Sequence, residues 1–182
     1  DSMALLTLLD NWKKTVKGNL IALIVNHNLR SEFKKEITPI LKYLKEKKFK
    51  TKVLIVNKKN VATKSMKEAR ENRYSLLTRF CKKNNILHLF LAHQKDDNLE
   101  TFVNRRIAGS NFEGLISIRN ISIRDKISII RPMLEYSKFE ILKYNEKNKV
   151  PFLNDPSNEN LNYTRPIIRK FLSQIDKNIY KN

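Results

Sequence analysis

The fold follows from the stretch Leu87–Thr101, which reads LHLFLAHQKDDNLET. Its first part, Leu87–Ala92, is an apolar run that is long enough for a buried strand and too short for a helix. Polar residues follow at once, and a helical pattern runs from about Lys95 to Ala108. Open α/β sheets bind ligands outside the carboxyl ends of their strands, so His93 lies where we expect a ligand.

Two acidic residues and an amide share one face of this predicted helix. Asp97, Glu100 and Asn104 are spaced i, i+3 and i+7, and His93 precedes them at the start of the helix. Three interpretations remain open. The residues form a divalent metal site, or the carboxylates bind a substrate ammonium while His93 handles phosphate charge or a proton, or the acids only complement the helix dipole at a solvated helix start.

Apolar runs of strand length alternate with helical patterns over most of the chain. This alternation predicts right-handed βαβ crossovers, and therefore an α/β fold with a Rossmann-like, doubly wound parallel sheet. Polar residues follow the strands at His27, Asn57 and His93, as expected of strand ends that line a crevice. The predicted strands are 20–25, 51–56 and 87–92, and the predicted helices between and before them are 2–16, 31–48, 65–83 and 95–108.

Local signals mark the ends of several helices. Gly18 is predicted to end the first helix, and Gly109, a residue suited to the left-handed conformation, is predicted to end the helix that follows the third strand. Ser137 and Glu140 form a capping box, as do Ser65 and Glu68 earlier in the chain. A last helix is predicted to begin at Thr164-Arg165-Pro166, where proline occupies the first turn.

We expect a single domain over 1–182, in which 133–182 forms a helical wall packed on the sheet. Ile127–Ile130 is predicted to be an edge strand. Asp1 leads directly into a helix without a preceding methionine, so we also expect further chain upstream.

The charge of the chain favours a polyanionic partner. Lys and Arg number 37 against 18 Asp and Glu, which gives a net charge of +19 and a pI of about 10.1. Such an excess supports nucleic-acid binding, although a solvated lysine-rich surface is the simpler alternative. Cys81 is the only cysteine, which excludes a disulfide framework or a cysteine-based zinc site within the chain. No apolar run approaches the roughly 20 residues of a membrane helix, and we expect a cytoplasmic location.

Several residues suit phosphate binding. Asp1 and Ser2 lie at a predicted helix N-terminus, where free N–H groups and the dipole attract anions, although both are also ordinary N-cap residues. Arg70 and Arg73 lie one turn apart beside Tyr74, and arginine binds phosphate oxygens in a bidentate manner.

Together these segments resemble the tRNA(Ile)-lysidine synthetases, which are PP-loop ATP pyrophosphatases. Gln94 stands where that family has a second histidine, Pro166 stands where it has asparagine, and the Ser-Gly-Gly of the loop would precede Asp1. The matching motifs, in order, are Asp1-Ser2, Val25–Arg30, Ala69–Tyr74, Leu91–Thr101, Gly109–Leu115, Arg131-Pro132 and Asp155–Asn158.

The resemblance implies ATP-dependent ligation of free L-lysine to C2 of the wobble cytidine in a CAU-anticodon tRNA(Ile), through an adenylated cytidine. ATP and Mg²⁺ are the implied cofactors, and a homodimer is a candidate assembly. It implies that Asp1, Ser2 and His27 bind ATP, with Asp1 also holding the metal ion. Arg73 and His93 are the implied catalytic residues, offsetting charge at the α-phosphate.

The resemblance also assigns the other substrates. Asp97 and Glu100 would bind the lysine ammonium, and Arg165 would bind its carboxylate. The candidate residues for tRNA phosphates are Arg105, Arg106 and Arg169. Two other functions remain as alternatives: a non-catalytic basic RNA-binding module, and another PP-loop tRNA-modifying enzyme such as a thiolase, which in relatives relies on cysteines that this chain lacks.

Overall fold

The fold is taken from a computed structural model that describes residues 1–27, 33–57, 66–111, 118–153 and 164–179. Helices and strands alternate over the first part of the chain, and two helices lie near its end. In chain order the elements are α1 (Ser2–Val16), β1 (Ile21–Asn26), α2 (Phe33–Glu46), β2 (Lys50–Ile55), α3 (Met66–Lys83), β3 (His88–Phe90), α4 (Lys95–Ile107), β4 (Ile121–Arg124), β5 (Ile127–Ile130), α5 (Lys138–Lys147) and α6 (Thr164–Ile179).

The strands form two groups. β1 and β2 pair in parallel, with Ile21 opposite Lys50. β3 pairs in parallel with β5, and β5 pairs antiparallel with β4, which gives the order β3-β5-β4. The βαβ connections and the parallel pairs confirm the predicted α/β class.

Helices cover both faces of the strands. On one face, Tyr74, Leu77 and Cys81 of α3 pack against both groups of strands, so the two groups lie side by side in one layer. On the other face, α1 contributes to one core cluster with α5 and to another with α2. The result is a three-layer, doubly wound arrangement, as predicted.

A slot separates the edges of β1 and β3. Consecutive residues line it, 21–25 from β1 and 87–92 from around β3, and its volume is about 1010 Å³. A strand that presented a face to the slot would contribute only alternate side chains, so both strands present their edges. α1 borders the slot with Leu5, Leu6 and Leu9, and α3 borders it with Leu77 and Cys81.

The backbone groups that point into this slot can be identified from the hydrogen bonds that β1 and β3 make along their opposite edges. Asn26 O accepts a 2.9 Å bond from the residue that follows β2, and Leu91 N donates a 2.9 Å bond to the last residue of β5. Successive residues of a strand direct their N–H and C=O groups to opposite sides. The amides directed into the slot therefore belong to Ile21, Leu23 and Val25 in β1 and to His88 and Phe90 in β3.

Most local predictions are confirmed. α1 spans the predicted residues, and Ser137 and Glu140 form the reciprocal capping box of α5. Gly109 has φ 74° directly after α4. No helix in the described ranges has the length and apolarity needed to cross a membrane.

One prediction is wrong. Ile127–Ile130 is not an edge strand: β5 lies between β3 and β4, because the short strand β4, which the sequence analysis missed, pairs with its outer edge. The predicted end of α1 at Gly18 is confirmed, and Lys17 there adopts the left-handed conformation with φ 51°. The start of α2 at Ser31, the cap at Ser65, and the motif residues at 28–30, 112–115 and 155–158 lie outside the described residues.

Substituting Ile129, which is 1% exposed in β5, should test the central core. We expect Ile129→Ala to lower the free energy of unfolding by about 2–5 kcal/mol, because it leaves a cavity between the sheet and α3. Ile123→Ala on the neighbouring strand is the control, since Ile123 is 77% exposed. Urea denaturation followed by circular dichroism measures both, and equal effects would contradict the described packing.

Candidate active site

Three helix N-termini converge at one side of the slot. Lys138 Nζ, at the start of α5, donates to Asp1 Oδ1 at 2.6 Å, at the start of α1. The backbone N–H of Lys138 donates to Asp96 Oδ2 at 3.2 Å in the first turn of α4, and Lys95 N donates to Tyr136 O at 2.9 Å. Helix N-termini carry free N–H groups and the positive dipole end, so their convergence favours an anionic ligand.

The start of α4 is fixed by a capping box. Gln94 is the N-cap: its Oε1 accepts from Asp96 N at 2.7 Å, and Asp97 Oδ2 accepts from Gln94 N at 3.0 Å. Gln94, which differs from the resembled family at this position, is 4% exposed and therefore has a structural role here. His93 precedes it and is also buried, at 8% exposure.

Glu100 is a buried acid with a charged partner. It is 1% exposed, and its Oε1 accepts from Arg169 Nε of α6 at 2.7 Å, which raises the pKa of Arg169. Oε2 of Glu100 is buried and accepts no hydrogen bond from any residue in the described ranges. The sequence analysis did not foresee this pairing, and a role for Arg169 in binding tRNA stays a prediction.

The structure bears on the three interpretations of the acidic pair. Among the described residues, His93, Asp97 and Glu100 included, no group of three His, Cys, Asp or Glu side chains is arranged to hold a metal ion. The helix-start interpretation accounts for one oxygen of Asp97, but it does not account for Glu100, which is buried. Asp97 lies near Lys138, whose pKa it raises, so it faces the start of α1.

Arginines surround Tyr74 on the opposite side of the slot. The guanidinium carbons of Arg70, Arg73 and Arg124 lie 5.1, 5.6 and 5.1 Å from the centre of the buried Tyr74 ring. Arg124 also binds Glu71 at 2.6 Å. Arg73 lines the slot, and its Nε is buried without a hydrogen bond to any described residue. The cation–π contact with Tyr74 helps to hold the Arg73 guanidinium in place without using its N–H donors.

Lys138 is a functional candidate that the sequence analysis missed. Its side chain is half-buried, and the residue borders the slot. Desolvation by burial lowers the pKa of Lys138, and nearby Arg169 lowers it further, while Asp97 and Asp96 raise it. Its contact with Asp1 joins residues 137 positions apart, so no local pattern could have revealed it.

The remaining predicted residues are distributed around this site. Ser2 is exposed, and His27 follows β1 and lines the slot with it. Arg105 is half-buried and Arg106 exposed in the last turn of α4. Arg165 belongs to α6, but its side chain lies outside the described residues.

Two other residues singled out by the sequence have structural settings. Arg131 of the Arg-Pro motif is buried, and its Nη1 donates to Arg119 O and to Ser122 Oγ at 2.9 Å each, which supports the β4–β5 hairpin. Cys81 is 1% exposed, and burial raises the pKa of its thiol, so it is poorly suited to sulfur chemistry.

A doubly wound sheet with helix N-termini converging at its strand ends is typical of nucleotide-binding α/β proteins. The chain belongs to the PP-loop domain family, an ATP-binding family whose model matches residues 1–175.

Comparison with known proteins identifies similar chains. The chain is 41% identical over 178 residues to the tRNA(Ile)-lysidine synthase of Wolbachia pipientis wMel, covering 97% of this chain and 41% of that protein. It is 34% identical over 175 residues to the tRNA(Ile)-lysidine synthase of Orientia tsutsugamushi, covering 96% and 40%. The chain thus spans about two fifths of the length of these curated relatives.

A solved structure shares the fold. The U34-tRNA thiolase NcsA from Methanococcus maripaludis matches with a TM-score of 0.80, covering 97% of this chain and 63% of that one. Only 18% of the residues are identical, so this likeness concerns the fold alone.

The Glu100–Arg169 pair can be tested by a double-mutant cycle. Arg169→Met should lower the free energy of unfolding by about 1–3 kcal/mol, because it leaves a buried carboxylate without its charged partner. The double variant Glu100→Gln/Arg169→Met should recover part of that loss, since it removes the uncompensated charge. Urea denaturation measures each variant, and additive effects would show that the two side chains do not interact.

Proposed function

We propose that the protein containing this chain is a tRNA(Ile)-lysidine synthetase. It ligates free L-lysine to C2 of the wobble cytidine in tRNA(Ile) with a CAU anticodon, and thereby forms lysidine. ATP first adenylates the base through its C2 oxygen with release of pyrophosphate, and the lysine ε-amine then displaces AMP. The observation that carries the proposal is a pair of acids, the half-buried Asp97 and the buried Glu100, beside a convergence of helix N-termini.

The acids suit the amine of lysine. Asp97 uses one oxygen for the cap of α4, and Glu100 has one buried oxygen that accepts nothing from the described residues. An ammonium bound between them would satisfy this oxygen and restore charge balance in a dehydrated pocket. Arg165 begins the helix that carries Arg169, so we assign it to the lysine carboxylate.

Arg73 and His93 suit the activation step. Arg73 lines the slot on the α3 side with a buried Nε that binds no described residue, and is thus available for a phosphate oxygen. His93 ends the segment that follows β3, directly before the first turn of α4. We propose that the two offset the negative charge that builds at the α-phosphate during adenylation.

ATP would bind at the start of α1 through Asp1, Ser2 and His27. Mg²⁺ typically binds proteins through one or two carboxylates together with substrate phosphates and water, so the single carboxylate of Asp1 fits this ion. Mg²⁺ would there neutralise phosphate charge. Asp1 Oδ1 binds Lys138 in this structure, and Ser2 is exposed beside it.

The net charge of +19 supports tRNA as the polyanionic substrate. Arg105, Arg106 and Arg169 are our candidates for phosphate contacts, and the anticodon loop suits an enzyme that must reach an unstacked base. Thiolation is disfavoured because Cys81 is buried within the core. A cytoplasmic location and a homodimer stay predictions.

We also propose that a strand upstream of Asp1 fills the slot between β1 and β3. Both facing edges are parallel strands with inward-directed amides, and parallel sheets of this type are normally continuous and covered on both faces. α1 begins at the carboxyl end of β1 and β3. A strand that precedes α1 and runs parallel to β1 and β3 would end at this same place.

Asp97→Asn tests the amine pocket, because the amide oxygen can still accept from Gln94 N while the charge is lost. In the full-length protein we expect KM for lysine to rise at least about tenfold, or about 1.4 kcal/mol of binding. Adenylation should persist, measured as tRNA-dependent pyrophosphate release. Asp96→Asn is the matched control in the same turn. Unchanged lysine transfer by Asp97→Asn would disprove the assigned pocket.

Hydrogen exchange tests the proposed strand. We expect the amides of Leu23, Val25, His88 and Phe90 to exchange quickly in a chain that begins at Asp1. They should become protected when the upstream residues are present, because a central strand accepts their hydrogen bonds. Leu89, whose amide already faces β5, is the internal control. Equal protection of the slot-facing amides in both chains would exclude strand insertion.

A further inference from the structure

Lys138 links the starts of three helices. It is the first residue of α5, fixed there by the Ser137–Glu140 capping box. Its amine donates to Asp1 at the start of α1, and its backbone N–H donates to Asp96 in the first turn of α4. One residue therefore contacts both helix ends at which the proposed reaction binds its charged substrates.

The Lys138 amine lies where the helix N-termini converge, beside residues that are proposed to bind ATP. The Lys138 side chain is 45% exposed and the Asp1 side chain 27%, and Lys138 borders the slot together with Arg73, Ser2 and His27. Exposed ion pairs contribute little to stability, so the contact with Asp1 alone does not explain why a lysine occupies this position.

The neighbouring acids do not exclude a phosphate here. Asp96 and Asp97 each accept a backbone N–H, from Lys138 and Gln94 respectively, and both lie at the positive end of α4. The positive charge of Arg169 lies close enough to lower the pKa of Lys138. Asp1, which binds Lys138 in this structure, would be neutralised by the proposed Mg²⁺ once the phosphates are bound.

Lysine has the chemistry for a transferable contact. Its ammonium is a point charge with three donors on a flexible four-carbon stem, so it can turn from a carboxylate to a phosphate without moving the backbone. Arg73 faces the slot from the α3 side, and Lys138 faces it from the side of α1 and α5. A phosphate chain at the carboxyl end of the proposed strand, where α1 begins, would lie between these two cations.

We infer that Lys138 is a substrate-binding residue for the β- and γ-phosphates of ATP, held by Asp1 when no nucleotide is bound. It leaves the Asp1 carboxylate as the phosphates arrive, and it stays with pyrophosphate until that product departs. The inference rests on the proposed use of ATP at this site and adds a residue to it.

Equilibrium binding to the full-length protein tests this assignment. The variants are Lys138→Met, Lys138→Arg and, as control, Lys143→Met, which removes an exposed lysine from the same helix. The probes are a non-hydrolysable ATP analogue, pyrophosphate and AMP, each with Mg²⁺. We expect Lys138→Met to lower the affinity for the ATP analogue and for pyrophosphate at least about tenfold. The affinity for AMP should stay within about twofold of the wild-type value. Lys138→Arg should retain most of the affinity, and Lys143→Met should match the wild type.

Other outcomes overturn the inference. Pyrophosphate affinity within about twofold of wild type in Lys138→Met would show that Lys138 does not bind the phosphates. If the affinity for all three probes falls equally and the melting temperature is lower, Lys138 only stabilises the packing of α5 against α1. If the wild type binds pyrophosphate but transfers no lysine to tRNA, the proposed function fails while the Lys138 result still decides this inference.

Discussion

The acids at the start of α4 hold together the part of the molecule on which the site depends. Asp97 caps its own helix through Gln94, Asp96 binds the first backbone N–H of α5, and Glu100 binds Arg169 of α6. Each carboxylate thus fixes a different element within two turns of one helix. Because these bonds are charge-assisted, and because Glu100 is buried, the positions of α5 and α6 relative to α4 are determined together.

This arrangement gives the same residues structural and chemical roles. A carboxylate has two oxygens, and Asp97 and Glu100 each use one in a bond to the protein. The buried second oxygen of Glu100 is costly to leave without a partner, and an ammonium substrate would remove that cost. The stability of the folded chain and the proposed affinity for lysine are therefore coupled at the same side chain.

Charge is separated across the molecule in a way that suits two unlike substrates. The chain as a whole carries +19, which favours a polyanionic partner. Glu100 is buried and Asp97 half-buried at the start of α4, whereas Arg73 and Lys138 border the slot. Under the proposed function, a pocket for an ammonium would therefore lie next to a site for phosphates.

The sequence by itself determined the local structure: the α/β alternation, the end of β1 directly before His27, and the capping box of α5. These features depend on hydrophobic periodicity and on residues a few positions apart, so a linear pattern contains them. Only the tertiary structure decided that β4 covers the outer edge of β5, that Lys138 contacts Asp1, and that Arg169 neutralises Glu100. Those partners lie far apart in the chain. A lysine or arginine could pair with any of several acids, and the sequence does not say which, because the distances between them are determined by tertiary packing.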